Sequence, residues 1–161
     1  MQPTLRMSLT DKTWLLSTLG ARTNKRTTLR ADVARNLVAG MKKHGVRKLV
    51  CLDAAGVGSS KEFVQRSSFF FGRIIMPFFL DRMYEDATVA DDLIETSSCS
   101  WVIVRPMSFT NGAKTGDISV ITDMSLIVRL RLRIARSDLA AFLVEQVVRD
   151  DYVGQMPVIF T

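Results

Sequence analysis

The segment spanning residues 14–52 constrains the fold more than any other part of the sequence. Residues 14–19 form a short apolar run, and residues 47–52 form a second run whose central positions are apolar on both faces. Both patterns are typical of buried parallel strands. Between the two runs, apolar residues recur at helical spacing: Leu29, Val33, Leu37 and Met41. Strand, helix and strand in this order predict a right-handed crossover unit of an α/β domain.

The predicted helix also has recognisable ends. Thr27 or Thr28 is placed to cap its amino terminus, and Lys42, Lys43 and His44 fall in its last turn, where cations suit the helix dipole. Gly45 supplies a left-handed stop.

Further strands and helices follow along the chain. Residues 86–96 predict a helix with Val89, Leu93 and Ile94 inward, and residues 101–104 predict a strand. Residues 117–122 and 128–134 alternate as two strands or a hairpin. Ser137 or Asp138 is placed to cap a final helix, whose inward residues are Leu139, Phe142, Leu143 and Val147. Residues 157–160 predict a last, short strand.

Composition excludes several classes of protein. The two cysteines, Cys51 and Cys99, are too few for a disulfide framework or a zinc site, so no metal site is expected and a reducing cytoplasm is the default location. The net charge of +6 comes from scattered Lys and Arg, which favours a solvated basic surface over nucleic-acid binding. No apolar run approaches the roughly 20 residues of a membrane span, and no secretory signal is visible.

Four segments, in order, carry a resemblance to a known family. They are LLSTLG at residues 15–20, NLVAGMKKHGV at 36–46, WVIVRP at 101–106 and IARSDLA at 134–140. Together they resemble the later part of NAD(P)-binding atypical short-chain dehydrogenases/reductases, in the NmrA-like, biliverdin reductase B-like (flavin reductase-like) family. The resemblance implies one α/β domain over residues 1–161: a partial, three-layer Rossmann-like fold with a mostly parallel sheet.

The sequence departs from that family in one respect. Members open with a strand and a Gly-x-x-Gly-x-x-Gly turn that binds the cofactor pyrophosphate, whereas the first glycine here is Gly20. We therefore expect the first strands, about 60 to 75 residues of two strand–helix units, to be missing. Loss of those phosphate contacts predicts a roughly 10²–10⁴-fold weaker hold on NADP or NAD. It also predicts an exposed apolar sheet edge at residues 14–19.

The resemblance places candidate site residues at the carboxyl ends of the strands. Cofactor contacts are expected from Leu19, Gly20, Ala21, Asp53, Ala54, Arg105, Pro106 and Met107. Asp53 and Tyr84 are the candidate catalytic residues. The alternatives are a solvent-facing capping role for Asp53, plain helix packing for Tyr84 and strand termination for Arg105. Thr88, rather than a lysine, follows Tyr84 by four residues, which excludes a Tyr–Lys mechanism.

The remaining reactive residues are weaker candidates for a catalytic site. His44 is the only histidine and lies among lysines, so a Ser–His–Asp hydrolase has little support. Cys51 is expected to pack in its strand. The six phenylalanines of residues 63–79 are expected to form either core or a substrate lid for flat aromatic compounds, with membrane contact a weaker third reading.

The implied activity is hydride transfer from NADPH or NADH to a flavin-like, quinone-like or carbonyl acceptor. The alternative is a non-enzymatic remnant that binds a protein partner, or a second copy as a homodimer, across the exposed sheet edge.

Overall fold

A computed structural model of the chain describes residues 14–20, 26–67, 81–126 and 133–161. The elements of these ranges, in chain order, are β1 (Trp14–Ser17), α1 (Leu29–His44), β2 (Lys48–Leu52), a 3-10 turn (Gly58–Ser60), α2 (Lys61–Ser67), α3 (Asp81–Glu95), β3 (Ser100–Pro106), β4 (Ser108–Thr110), β5 (Ser119–Ile121), β6 (Arg133–Ala135), α4 (Arg136–Val148) and β7 (Val158–Phe160).

The main sheet has the strand order β1-β2-β3-β7-β5. Its first four strands are parallel, and β5 runs antiparallel to β7. A second, two-stranded sheet pairs β4 with β6 in parallel. Of the two alternatives for residues 117–122 and 128–134, separate strands or a hairpin, the described residues agree with separate strands, because β5 pairs with β7 and β6 pairs with β4. Residues 127–132 lie outside the described ranges.

Alternate residues of the central strands face two separate apolar layers, as a parallel sheet buried on both sides requires. Leu49, Cys51 and Ile103 pack against α1 and α3, whereas Val50 and Val102 pack against α4. The expected three-layer α/β architecture is confirmed. The inward residues predicted for α4 (Leu139, Phe142, Leu143 and Val147) are all buried.

Two predicted helix faces are displaced by close packing of α1 on α3. Ala31, Ala34 and Met41 are the buried residues of α1, while Leu29 is 43% exposed. On α3, Ala87, Ala90 and Ile94 are buried and Val89 is 46% exposed. Small residues line the contact of two closely packed helices, so the larger Leu29 and Val89 lie outside it.

The predicted caps are partly wrong as well. At α1, Thr28 stands at the cap position, but its hydroxyl donates to Asp32, and the Thr27 hydroxyl accepts the amide of Leu29 at 3.1 Å. The next two amides, those of Arg30 and Ala31, donate to the Asp86 carboxylate of α3. At α4, Asp138 is the third residue of the helix and its carboxylate accepts the amides of Thr115 and Gly116. The left-handed stop at Gly45, with φ 67°, is as predicted.

The aromatic segment is described only in part. Phe63, on α2, is fully buried among Val57, Val64 and Tyr84, which favours the core reading for this one residue. The remaining five phenylalanines lie outside the described residues: Phe69, Phe70, Phe71, Phe78 and Phe79.

Candidate functional site

The carboxyl ends of β2, β3 and β7 meet at one edge of the sheet, and the backbone beyond them stays paired. The amide of Asp53 donates to Val104 at 2.9 Å, that of Ala55 to Pro106 at 3.1 Å and that of Met107 to Ile159 at 3.0 Å. Four predicted site residues therefore lie together, namely Asp53, Ala54, Pro106 and Met107. Ligands of open α/β sheets bind outside this carboxyl edge.

The residues after β1, the outer strand next to β2, lie at the same carboxyl edge. Leu19 lines a small cleft with Arg30, Leu52 and Asp91, and its side chain is 44% exposed. Gly20 follows in open space. Ala21 lies outside the described residues.

Asp53 is buried within a charged cluster. Its side chain is 1% exposed, with Arg30 Nη2 at 2.5 Å from one oxygen and Arg105 Nε at 3.7 Å from the other. The solvent-facing reading of Asp53 is therefore wrong. Neither contact has hydrogen-bond geometry, and neither Asp53 oxygen accepts a hydrogen bond from the described residues.

Arg105 is the centre of this cluster, although it lies near the end of a strand and is 1% exposed. Its Nη2 donates to Asp91 at 2.8 Å and its Nη1 donates to Ser59 at 2.9 Å. A buried guanidinium requires such partners, because the cost of desolvating an unpaired cation is several kcal/mol. Arg105 therefore ties α3, the Gly58–Ser60 turn and the carboxyl edge together, and its guanidinium points into the protein.

Three members of the cluster were missed at the level of sequence: Arg30, Asp91 and Ser59. Arg30 also donates to the carbonyl of Leu52 at 3.2 Å, which fixes it at the end of β2. Burial and the nearby charge of Asp53 raise the pKa of Asp91 to about 8. The available signal was Arg105 itself, since an arginine in an apolar strand requires a carboxylate partner, but nothing selected Asp91 over Asp92.

Glycine makes room for the cluster at one point of the loop after β2. Gly58 has φ 49°, and a Cβ built on it would lie 3.3 Å from Arg105 Nη2. The loop is closed by Ser60, whose hydroxyl accepts the amide of Gly56 and donates to the carbonyl of Val57. The loop is thus shaped around the guanidinium.

Tyr84 packs beneath this loop. Its hydroxyl donates to the carbonyl of Ala55 at 3.1 Å, and burial, followed by the charge of Asp53, raises the pKa of the phenol to about 12. Thr88 donates to the Tyr84 carbonyl. This phenol stays protonated at neutral pH and holds the loop in place.

The remaining reactive side chains lie away from the carboxyl edge or are shielded. His44 is exposed in the last turn of α1. Burial, as the largest cause, raises the pKa of the Cys51 thiol to about 12, which keeps it unreactive. Cys99 is half-buried and unpaired with Cys51.

The described residues fit one part of a dinucleotide. The carboxyl edge offers a built surface of backbone and small side chains beside a charged cluster, which suits a nicotinamide and its ribose. A pyrophosphate needs free amides at a helix amino terminus. The amides of Arg30 and Ala31, at the amino terminus of α1, are already bound by Asp86. Within the described ranges, α1 therefore does not provide the phosphate site.

A mostly parallel α/β sheet with a polar carboxyl edge is typical of nucleotide-binding folds. A family model described as NAD(P)H-binding matches residues 2–150. The chain belongs to this NAD(P)H-binding family, which confirms the cofactor class and the Rossmann-like fold expected from the sequence. No curated protein matches the chain.

Three solved structures illustrate the likeness. A short-chain dehydrogenase/reductase from Veillonella parvula in complex with NADP has a TM-score of 0.72 at 9% identity, over 94% of this chain and 64% of its own. ChuY, an anaerobillin reductase from Escherichia coli O157:H7, has a TM-score of 0.66 at 21% identity, over 91% of this chain and 63% of its own. The oxidoreductase YlbE from Lactococcus lactis has a TM-score of 0.66 at 17% identity, over 89% of this chain and 60% of its own. The chain thus spans less than two thirds of each of these proteins.

None of the helices in the described ranges has the length and hydropathy that a bilayer crossing requires.

Proposed function

We propose that this chain supplies the nicotinamide and substrate side of an NAD(P)H-dependent reductase for a flavin-like, quinone-like or carbonyl acceptor. The observation that carries the proposal is the NAD(P)H-binding family match over residues 2–150. The structures with the same fold include reductases, which supports the reaction class.

Bound NAD(P)H would supply a hydride, and the chain's own residues would orient the reactants and exclude water. In this proposal the backbone of Asp53, Ala54, Pro106 and Met107 lines the nicotinamide. Leu19 and Gly20 lie beside the ribose. Arg105 takes part through its backbone, because its three guanidinium nitrogens face other side chains.

The roles of Asp53 and Tyr84 follow from their burial. With its side chain 1% exposed, Asp53 contributes negative charge behind the carboxyl edge rather than a direct contact with the acceptor. Tyr84 holds the carbonyl of Ala55 and with it the loop that follows β2. Both residues are proposed to position the site.

The test is a titration of the 161-residue chain with NADPH and NADH, followed by saturation-transfer NMR of the nicotinamide protons. We expect saturable binding in the millimolar range and slow NAD(P)H-dependent reduction of FMN or a quinone. Ala54→Leu should weaken binding at least tenfold because it fills the carboxyl edge. Ala39→Leu, on the exposed side of α1, is the matched control. Absence of saturable binding would exclude the proposed function, and micromolar binding would contradict the weak affinity.

A second candidate rests on β1. Trp14 is 39% exposed, and among the described strands β1 pairs only with β2. An exposed parallel edge can add a strand from a second copy of the chain. Light scattering tests this reading: a concentration-dependent dimer that Leu16→Lys abolishes supports it, and a monomer at all concentrations excludes it.

A further inference from the structure

Two buried carboxyl groups from different elements contact one guanidinium. Arg105 Nη2 lies 2.8 Å from Asp91 Oδ2, and Arg105 Nε lies 3.7 Å from Asp53 Oδ2. The side chains of Asp91 and Asp53 are only 7% and 1% exposed. The second arginine, Arg30, lies at the rim and contacts Asp53, so Asp91 has Arg105 as its one cationic contact among the described residues.

The hydrogen bonding of Asp53 is incomplete if both carboxyl groups are ionised. Both its oxygens are buried, and neither accepts a hydrogen bond from the described residues. An ionised carboxylate offers only acceptors, so a second carboxylate beside it cannot satisfy it. A protonated neighbour changes this, since a carboxylic acid has one O–H to donate.

We propose that Asp91 and Asp53 form a carboxylic acid–carboxylate pair that holds one proton at neutral pH and so positions Arg105 and the Gly58–Ser60 turn beside the carboxyl edge. The shared proton removes the repulsion between two like charges in a site of low dielectric. Arg105 donates to Asp91 through Nη2 and to Ser59 through Nη1, and so links the pair to the Gly58–Ser60 turn. The effect of the pair on NAD(P)H rests on the function proposed above, whereas the shared proton itself does not.

The charged and titratable neighbours of the pair come from every element around it. Arg30 faces it from α1, Cys51 from β2, Tyr84 from α3 and Arg105 from β3. The thiol and the phenol remain neutral up to about pH 12, so they do not compete for the proton at neutral pH. Ionisation near pH 8 is therefore assigned to the pair.

Infrared spectroscopy of the chain without cofactor tests the proton directly. A protonated carboxyl group has a C=O stretch that is separate from the carboxylate bands, and labelling with ¹³C-aspartate identifies it as aspartate. We expect one such band at pH 7 that disappears as the pH passes about 8. Asp91→Asn and Asp53→Asn should each remove it. Asp92→Asn, at the exposed neighbouring position of α3, should retain it.

Asp91→Asn also tests whether the proton affects cofactor binding. An asparagine amide can donate to Asp53 as the protonated acid does, but it does not ionise as the pH rises. We expect wild-type NADPH affinity to fall severalfold between pH 7 and pH 9 and that of Asp91→Asn to stay constant. Absence of the band in wild type at pH 7, or its persistence in Asp91→Asn, would overturn the shared proton. A band that titrates as expected in a chain that binds no NADPH would reject only the proposed function.

Discussion

The carboxylate of Asp86, on α3, caps the amino terminus of α1 from 55 residues away: its oxygens accept the amide of Ala31 at 3.1 Å and that of the preceding residue at 3.0 Å. This contact adds to the local bond predicted from the sequence, in which the Thr27 hydroxyl accepts the amide of Leu29. It also joins the two helices that cover one face of the sheet. The same contact removes two free amides that would otherwise be open to an anion.

Replacement of Asp86 by alanine should therefore destabilise the fold by about 1–2 kcal/mol, the cost of a lost helix cap. Glu85→Ala is the matched control, because Glu85 is exposed and its contact within the described part of the chain is a surface ion pair with Arg26 at 3.4 Å. Its change should remain within about 0.5 kcal/mol. Urea unfolding of the two variants measures the difference. Equal effects would show that Asp86 is not a cap.

Arg105 also contributes to stability. Arg105→Met should cost about 2–3 kcal/mol, because the buried Asp91 side chain and Ser59 each lose a hydrogen-bond donor, while Asp53 keeps its contact with Arg30. Arg149→Met removes an exposed pair with Asp151 and should change the free energy of unfolding by less than about 1 kcal/mol. Chemical denaturation checks both values. A small effect of Arg105→Met would mean that the charged cluster contributes little to stability.

The sequence predicts the layers of this fold well, because they depend on local apolar patterns. Residues 14–19 and 47–52 read as parallel strands, and Leu139 and Phe142 of α4 point inward as their spacing indicates. The resemblance to the family also placed Asp53 and Met107 in one site, and the strand order of the structure brings them to the same carboxyl edge.

The charged cluster could not be predicted in the same way. Asp91 and Asp92 are adjacent and chemically identical, yet only Asp91 is buried, because the rotation of α3 is set by its packing on α1. The sequence pattern favoured Val89 as an inward residue, which would turn α3 differently. Small residues such as Ala90 decide the close approach of the helices, and they give almost no signal in a hydrophobic pattern.

Two glycines of the same helix should respond in opposite directions to alanine. Gly45 ends α1 at φ 67°, where a Cβ is strained, so Gly45→Ala should destabilise the fold by about 1 kcal/mol. Gly40 lies inside α1 with open space around its Cα, so Gly40→Ala should stabilise the fold by about 0.5–1 kcal/mol. Thermal unfolding distinguishes them by the sign of the change in Tm. A rise in Tm for Gly45→Ala would contradict the left-handed stop, and a fall in Tm for Gly40→Ala would contradict the open space at that position.

Asp138 should hold the backbone of the loop that precedes β5 in place and protect its amides from exchange. Its carboxylate accepts hydrogen bonds from the amides of Thr115 and Gly116, and these lower its pKa. Asp138→Ala should accelerate amide exchange at both positions by roughly tenfold or more, because one lost hydrogen bond is worth about a factor of ten. Asp117→Ala, in the same loop, is the control. Unchanged protection in Asp138→Ala would show that the loop is held by other contacts.

The stability of the chain should also depend on pH through Asp91. Its pKa is about 8 in the folded chain, against an ordinary value of 3.8, so the folded state binds more protons than the unfolded state between these values. The stabilising contribution of its proton is complete below pH 4 and is lost as the pH rises through 8. The free energy of unfolding should fall by at most roughly 1.4 kcal/mol per pH unit in this window. Asp91→Asn should flatten this part of the curve, whereas Asp92→Asn should leave it unchanged. Urea unfolding from pH 5 to pH 9 measures the slope, and an equal slope in wild type and Asp91→Asn would assign the pH dependence to other groups.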